Sequence, residues 1–268
     1  MAATPIDHRY HAGLLEELGL ALRAKFERTG ALTDLAEAIQ LVRQAVAASP
    51  TTTDPPDIVG PLANLGALLR TRFDYASVEA DLAEAIAVSR QAVDAAPADH
   101  RYRVAALNNL GNALARRFEH TGSDADLKQA IVVLRQSVGA TPTDHREHGN
   151  GLNSLGLALH ARFDRTGRDK DLDEAINMLR QAAAATPAGH GNHARALVNL
   201  GPALHARFGR TGADADLDEA VTALRQALHA TPTDHAHRAV YLSNLGMTLH
   251  ARFGRTGADA DLDEAVTA

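Results

Sequence analysis

Apolar residues recur along this chain at helical spacing, and then the whole pattern begins again. Leu152, Leu155, Leu159 and Phe163 stand at i, i+3, i+7 and i+11, one face of a helix. Gly156 and Ala158 flank that face and leave room for a second helix to approach. Leu217, Ala220, Val221, Leu224 and Leu228 mark a second kind of helix further on. The first kind exits through Arg165-Thr166-Gly167, where glycine suits the left-handed residue that ends a helix. Asp144 lies just ahead of it as a candidate N-cap. The second kind opens with Asp171-Leu-Asp-Glu174, an Asp three residues ahead of a Glu, as in a capping box. That pair recurs as Asp34/Glu37, Asp81/Glu84, Asp216/Glu219 and Asp261/Glu264, with Asp126/Gln129 as the conservative variant. A proline closes each of the first five copies, because Pro cannot continue a helix.

The copies keep register. Gly19, Gly66, Gly111, Gly156, Gly201 and Gly246 are separated by 47 residues once and by 45 residues four times. Six repeats follow, at about 5–49, 50–96, 97–141, 142–186, 187–231 and 232–268, the last one truncated. One helix pair cannot bury its own apolar face, whereas stacked pairs can. The pattern therefore predicts an all-α chain: an α-solenoid of antiparallel helix pairs, A then B, forming a single array over 1–268. It is expected to curve as a right-handed superhelix with the A helices inside. Two departures stand out. Asp74-Tyr-Ala-Ser77, with Pro55-Pro56 upstream, predicts an irregular second repeat. Pro202 removes the bond to the Val198 carbonyl and predicts a kink or a substitute bond. The truncated sixth repeat fits a fragment of a longer array better than an end completed by a partner.

Composition narrows the function classes. Few aromatics and no Trp suit closely packed helices. The net charge is −6 with both signs mixed, and no basic block offers a nucleic-acid footprint. There is no cysteine, so disulfides and thiolate metal sites are excluded. The N-terminus, Met-Ala-Ala-Thr-Pro-Ile-Asp-His, has no apolar signal core, and no run approaches membrane-spanning length. A cytoplasmic protein without membrane partners is expected. Carboxylates are spread one set per repeat, so no isolated acid/base couple offers enzyme chemistry a seat, and no cofactor or metal is expected.

Asn199-Leu200-Gly201 with Ala220 and Pro232, and Asn244-Leu245-Gly246 with Ala265, resemble the Asn-Leu-Gly, Ala and closing Pro of the tetratricopeptide repeat (TPR). The resemblance spans the whole chain in six copies, although the family's common unit is only about 34 residues. The Arg-Phe-x-Arg-Thr-Gly-x-x-x-Asp-Leu signature is similar to long repeats that accompany CHAT protease domains and STAND-type signalling ATPases in bacteria and fungi. It also resembles the repeats of kinesin light chains. No Walker loop or cysteine nucleophile is present here.

The resemblance implies that the A-helix face lines a concave groove for extended peptides, and that the Asn before Leu-Gly bonds ligand backbone. That role carries to Asn64, Asn109, Asn199 and Asn244. It fails at Glu17 and Ser154, where Asn153 is the substitute; Asn112 joins the same face. The alternative is that these amides bond only neighbouring helices or water. His160, His205 and His250 form a second ladder of groove residues. Adjacent packed helices lie about 10 Å apart, too far for two of them to share a metal. His145/His148 and His190/His193 read as first-turn polar residues. The Arg before each Phe (Arg72, Arg117, Arg162, Arg207, Arg252) should pair with an acid that opens helix B, such as Asp171 or Glu174. Groove cations are few: Arg23, Arg70, Arg116 and Arg195. The expected function is a non-catalytic scaffold that holds a largely neutral, extended peptide or a protein on its A-helix face. The alternatives are the sensor array of a larger signalling protein, or a module that self-assembles end to end.

Overall fold

The computed structural model describes residues 10–49, 58–145, 147–233, 235 and 237–267; Pro55-Pro56 lies outside them. Among the described residues there are helices and no strands. The helices are α1 (His11–Thr29), α2 (Leu32–Ala48), α3 (Val59–Ala76), α4 (Glu79–Ala95), α5 (Arg103–Thr121), α6 (Asp124–Ala140), α7 (His148–Thr166), α8 (Asp169–Ala184), α9 (Gly191–Thr211), α10 (Asp214–His229), α11 (Arg238–Thr256) and α12 (Asp259–Thr267). Odd numbers are A helices and even numbers are B helices, so the repeat read from the sequence is an all-α helical repeat fold. The chain divides into two compact halves, residues 1–140 and 141–268.

Every A–B connection is two residues long, and its chemistry explains the Arg-x-x-Arg-Thr-Gly signature. Gly167 takes the left-handed conformation at φ 66° and donates its N–H to Phe163 O at 2.7 Å. Thr166 Oγ1 donates to Arg162 O at 2.7 Å, the back-bond of a threonine hydroxyl to the carbonyl one turn earlier. The same turn closes α1, α5, α9 and α11. In the second repeat Ser77 replaces the glycine yet adopts the same conformation, φ 51°, with its N–H on Phe73 O at 2.8 Å. The described part of that repeat is therefore regular, and the departure in sequence appears as strain at one residue.

Two capping expectations need correction. Asp171 is not an N-cap: α8 begins at Asp169 with Arg168 at the cap, and Asp171 lies inside the first turn. Its buried carboxylate instead accepts two bonds from Arg162, Nε to Oδ2 at 2.8 Å and Nη2 to Oδ1 at 2.6 Å. Charge-assisted bidentate geometry of this kind outcompetes a single cap bond. Arg72–Asp81, Arg117–Asp126, Arg207–Asp216 and Arg252–Asp261 repeat the clasp across each two-residue turn. The first repeat has Lys25, whose Nζ reaches only Oδ1 of Asp34, at 2.7 Å; Oδ2 is buried without a partner. Asp144 is not the cap of α7 either. His145 Nδ1 accepts the Glu147 N–H at 3.1 Å, one residue past Asp144. His100, His190 and His235 make the equivalent bond in their repeats.

Packing follows the apolar stripe. Leu159 is fully buried, and a Cβ on Gly156 would lie 2.7 Å from Leu179 Cγ, so α7 and α8 touch backbone to side chain there. Phe26, Leu35, Ile39, Leu65, Leu69, Phe73, Leu82, Ile86, Leu107 and Leu114 share one core in the first half. Val221, Leu224, Leu228, Leu245 and Leu249 form a core around α10 and α11 in the second. Helix α9 runs unbroken through Pro202. Successive B helices are tied by Arg43–Glu84, Arg180–Glu219 and Arg225–Glu264. The ends of A helices are tied to the preceding B helix by Arg210–Asp169 and Arg255–Asp214. No helix among the described residues is long and apolar enough to cross a membrane.

Candidate peptide-binding face

Each repeat's A helix turns its Leu-Gly stripe toward helix B, which leaves the residues before and after that stripe on the opposite side. In the first half this face is built from α1, α3 and α5. Asn64 Nδ2 donates to Glu16 Oε1 at 2.6 Å. Asn109 Nδ2 donates to Ala63 O at 2.8 Å. Asn112 lies one turn on and donates to Asn108 Oδ1 at 3.1 Å. In the second half Asn199 Nδ2 donates to Asn153 Oδ1 at 2.9 Å, and Asn153 is 5% exposed between α7 and α9. Asn244 is half-buried on α11. The asparagines at 64, 109 and 199 therefore share one job: each amide N–H bridges back to the preceding A helix. Asn109 and Asn199 keep Oδ1 without a protein donor among the described residues.

The histidine ladder is less uniform. His160 is half-buried and stacks on Phe163 with ring centroids 6.3 Å apart; its Nε2 is 3.8 Å from Asp164 Oδ1. Burial lowers its proton affinity, and the Asp164 charge partly restores it. His205 is half-buried and His250 exposed. No group of three or more His, Cys, Asp or Glu side chains among the described residues is arranged to hold a metal ion. The first-turn pair His190/His193 has two separate tasks. His190 Nδ1 accepts the Asn192 N–H at 3.2 Å. His193 Nδ1 meets Ala183 O and Thr186 O at 2.9 and 3.1 Å, so it must carry the proton. Arg103 and Arg238 occupy the same repeat position and donate to the same pair of carbonyls at the end of their preceding B helices.

The groove cations come with anions that the sequence reading left aside. Arg23 pairs with Glu27 and Arg70 with Asp74, each at 2.9 Å; Arg116 bridges Asp74 at 2.7 Å and Glu119 at 2.6 Å. The signal was present: these acids follow their arginines by three or four residues on a helix. Arg195 is different. Its Nη2 donates to Asn150 Oδ1 at 3.2 Å, it forms no ion pair with a carboxylate among the described residues, and desolvation lowers its pKa against the weaker pull of Tyr241 and Glu147.

Comparison with known proteins agrees with this architecture. The tetratricopeptide repeat family profile matches residues 62–102 and 103–147. No curated protein matches the chain. Among solved structures, TTC0263, a thermophilic TPR protein of Thermus thermophilus, is 20% identical with a TM-score of 0.60, covering 87% of this chain and 98% of its own. A putative kinesin light chain with nearly identical TPR-like repeats from Podosopora anserina is 19% identical, TM-score 0.53, covering 77% of this chain and 95% of its own. BtubC (BKLC) from P. vanneervenii is 15% identical, TM-score 0.54, covering 99% and 91%. These likenesses show the fold, and the profile matches two consecutive copies of a unit that the chain repeats six times. Residues 62–147 thus match the tetratricopeptide repeat family, and the described chain has the all-α helical repeat fold of TPR proteins.

Proposed function

We propose that this chain is a non-catalytic scaffold that holds an extended peptide, or an extended segment of a partner protein, on the exposed face of its A helices. The observation that carries the reading is the tethered A-face asparagine found in each half. Asn109 and Asn199 are each fixed by a bond to the A helix before them, and each keeps a carbonyl oxygen to accept a peptide N–H. An acceptor already held in place loses little conformational entropy when it binds. Main-chain recognition of this kind suits an extended ligand of broad sequence. The ion pairs on Arg23, Arg70 and Arg116 leave little net charge to steer a ligand, in keeping with a largely neutral peptide.

The absence of cysteine makes the test clean, since each introduced thiol is unique. Ser154→Cys lies on the A face of α7 and Thr222→Cys on the exposed side of α10. A decapeptide selected from a random library on the folded protein should slow alkylation at position 154 and leave position 222 unchanged. Protection at 222 alone, or no selectable peptide, overturns the proposal. End-to-end self-association has one observation in its favour: Val240 and Met247 on α11 are 56% and 57% exposed, and Leu14 and Leu18 on α1 are 47% and 51% exposed. Light scattering that shows no growth in mass with concentration would exclude it.

A further inference from the structure

We infer that the first half of the chain holds a subsite for one lysine side chain of a bound peptide, built by Glu16 on α1, Asn64 and Gly60 on α3, and Tyr102 at the start of α5. The inference rests on the peptide-binding reading above and adds a side-chain class to it. Glu16 is half-buried on the A-helix face, and its one hydrogen bond among the described residues is the Asn64 amide at 2.6 Å. No Lys, Arg or His among the described residues forms an ion pair with it. Asp74, exposed near the end of α3, has two arginines. The surroundings fit that account: burial raises the Glu16 pKa first, the Asn64 bond and the more distant Arg101 charge oppose this, and the neighbouring Glu17 adds to it. The result is a partly desolvated carboxylate that the Arg101 charge acts on without forming an ion pair with it among the described residues.

An aromatic ring stands beside the carboxylate. A Cβ on Gly60 would lie 2.8 Å from Tyr102 Cε2 and 3.3 Å from Glu16 Oε1. The missing side chain therefore lets an aromatic ring and the carboxylate close over the same point of α3. The ring already attracts a cation, since the Arg101 guanidinium lies 4.6 Å from its centroid. Lysine fits better than arginine because Asn64 occupies Oε1, and the remaining oxygen suits a point ammonium better than a two-pronged guanidinium. Arg101, exposed and acting on Glu16 through its charge, is the internal competitor for that carboxylate.

The test selects decapeptides from a random library on the whole chain and on its Glu16→Gln and Arg101→Gln variants. On the wild-type chain lysine should recur at one position. Glu16→Gln, which keeps the shape and an acceptor for Asn64, should lose that preference, and Arg101→Gln should strengthen it. Acetylation of the selected lysine should weaken binding to the wild-type chain about tenfold, a readout that does not depend on any variant folding. Peptides that bind with no lysine preference, or that tolerate acetylation, would overturn the subsite and leave the groove reading intact. Recovery of no peptide would overturn both.

Discussion

Lys25 is the odd member of the clasp series, and replacing it with arginine tests the account of that series. In the other five repeats the guanidinium meets both oxygens of a buried Asp, as Arg162 does with Asp171 at 2.6 and 2.8 Å. In the first repeat Nζ meets Oδ1 of Asp34 at 2.7 Å and Oδ2 is buried without a donor. A buried acceptor left unmet costs about 1–3 kcal/mol. Lys25 is 52% exposed, so its single pair is screened and contributes only about 0–1 kcal/mol. Lys25→Arg supplies a donor for Oδ2 and should stabilise the first repeat by about 1–2 kcal/mol. Arg162→Lys should cost a similar amount. Repeats open locally, so the assay is hydrogen exchange at the amides of α2, where about 1.4 kcal/mol appears as a tenfold slowing. If Arg162→Lys speeds exchange in α8 while Lys25→Arg leaves α2 unchanged, the idea that Oδ2 is starved of a donor is wrong. If neither changes exchange, the clasp does not contribute to stability.

Ser77→Gly should stabilise the second repeat by about 1 kcal/mol, read from a urea midpoint, because it relieves a left-handed residue. Leu159→Ala should cost about 2–5 kcal/mol, while Leu157→Ala, at a position 42% exposed, should change stability by less than about 0.5 kcal/mol; equal losses in denaturation would refute the helical phase. Asp126 and Asp261 are held below the ordinary carboxylate value of 3.8, chiefly through their bonds from Arg117 and Arg252. Their contribution is fully present above that value and is lost as pH falls below it toward the folded pKa, so acid unfolding should begin there and Arg117→Met should reduce its slope. Exchange should be fast along α12, nine residues long with Leu262 only half-buried, and slow at the equivalent Leu217, which is fully buried; uniform protection in a monomer would contradict this.

Periodicity made the fold legible. The apolar stripe, the glycine after five of the six A helices and the Arg–Asp spacing all read through to the structure, because each is decided within one repeat. The capping box did not, since the same Asp can cap a helix or pair with an arginine nine residues back, and only three-dimensional geometry settles the competition. The asparagines were legible as a row on the A face. That their N–H groups bond the neighbouring helix was there only as the alternative, because a repeat's sequence does not state how its helix meets the one before. Glu16 escaped notice for a related reason: its lack of a cation is a property of three helices together, and its own repeat breaks the Asn pattern at Glu17.

The ties between repeats have a consequence for how such a gene can change. Arg180–Glu219 and Arg225–Glu264 span the same 39 residues, and Arg210–Asp169 and Arg255–Asp214 the same 41. Excision of residues 187–231 would bring Arg225's partner Glu264 against Arg180, and Arg255 against Asp169, at those same separations. Every charge at the new junction would find a counterpart it had never met. Unequal crossing-over between near-identical copies can thus lengthen or shorten the protein in whole steps, with each product inheriting working joints. The step need not be exact where it falls in the loop between helix pairs: Arg43–Glu84 forms across 41 residues, two more than the other ties between B helices.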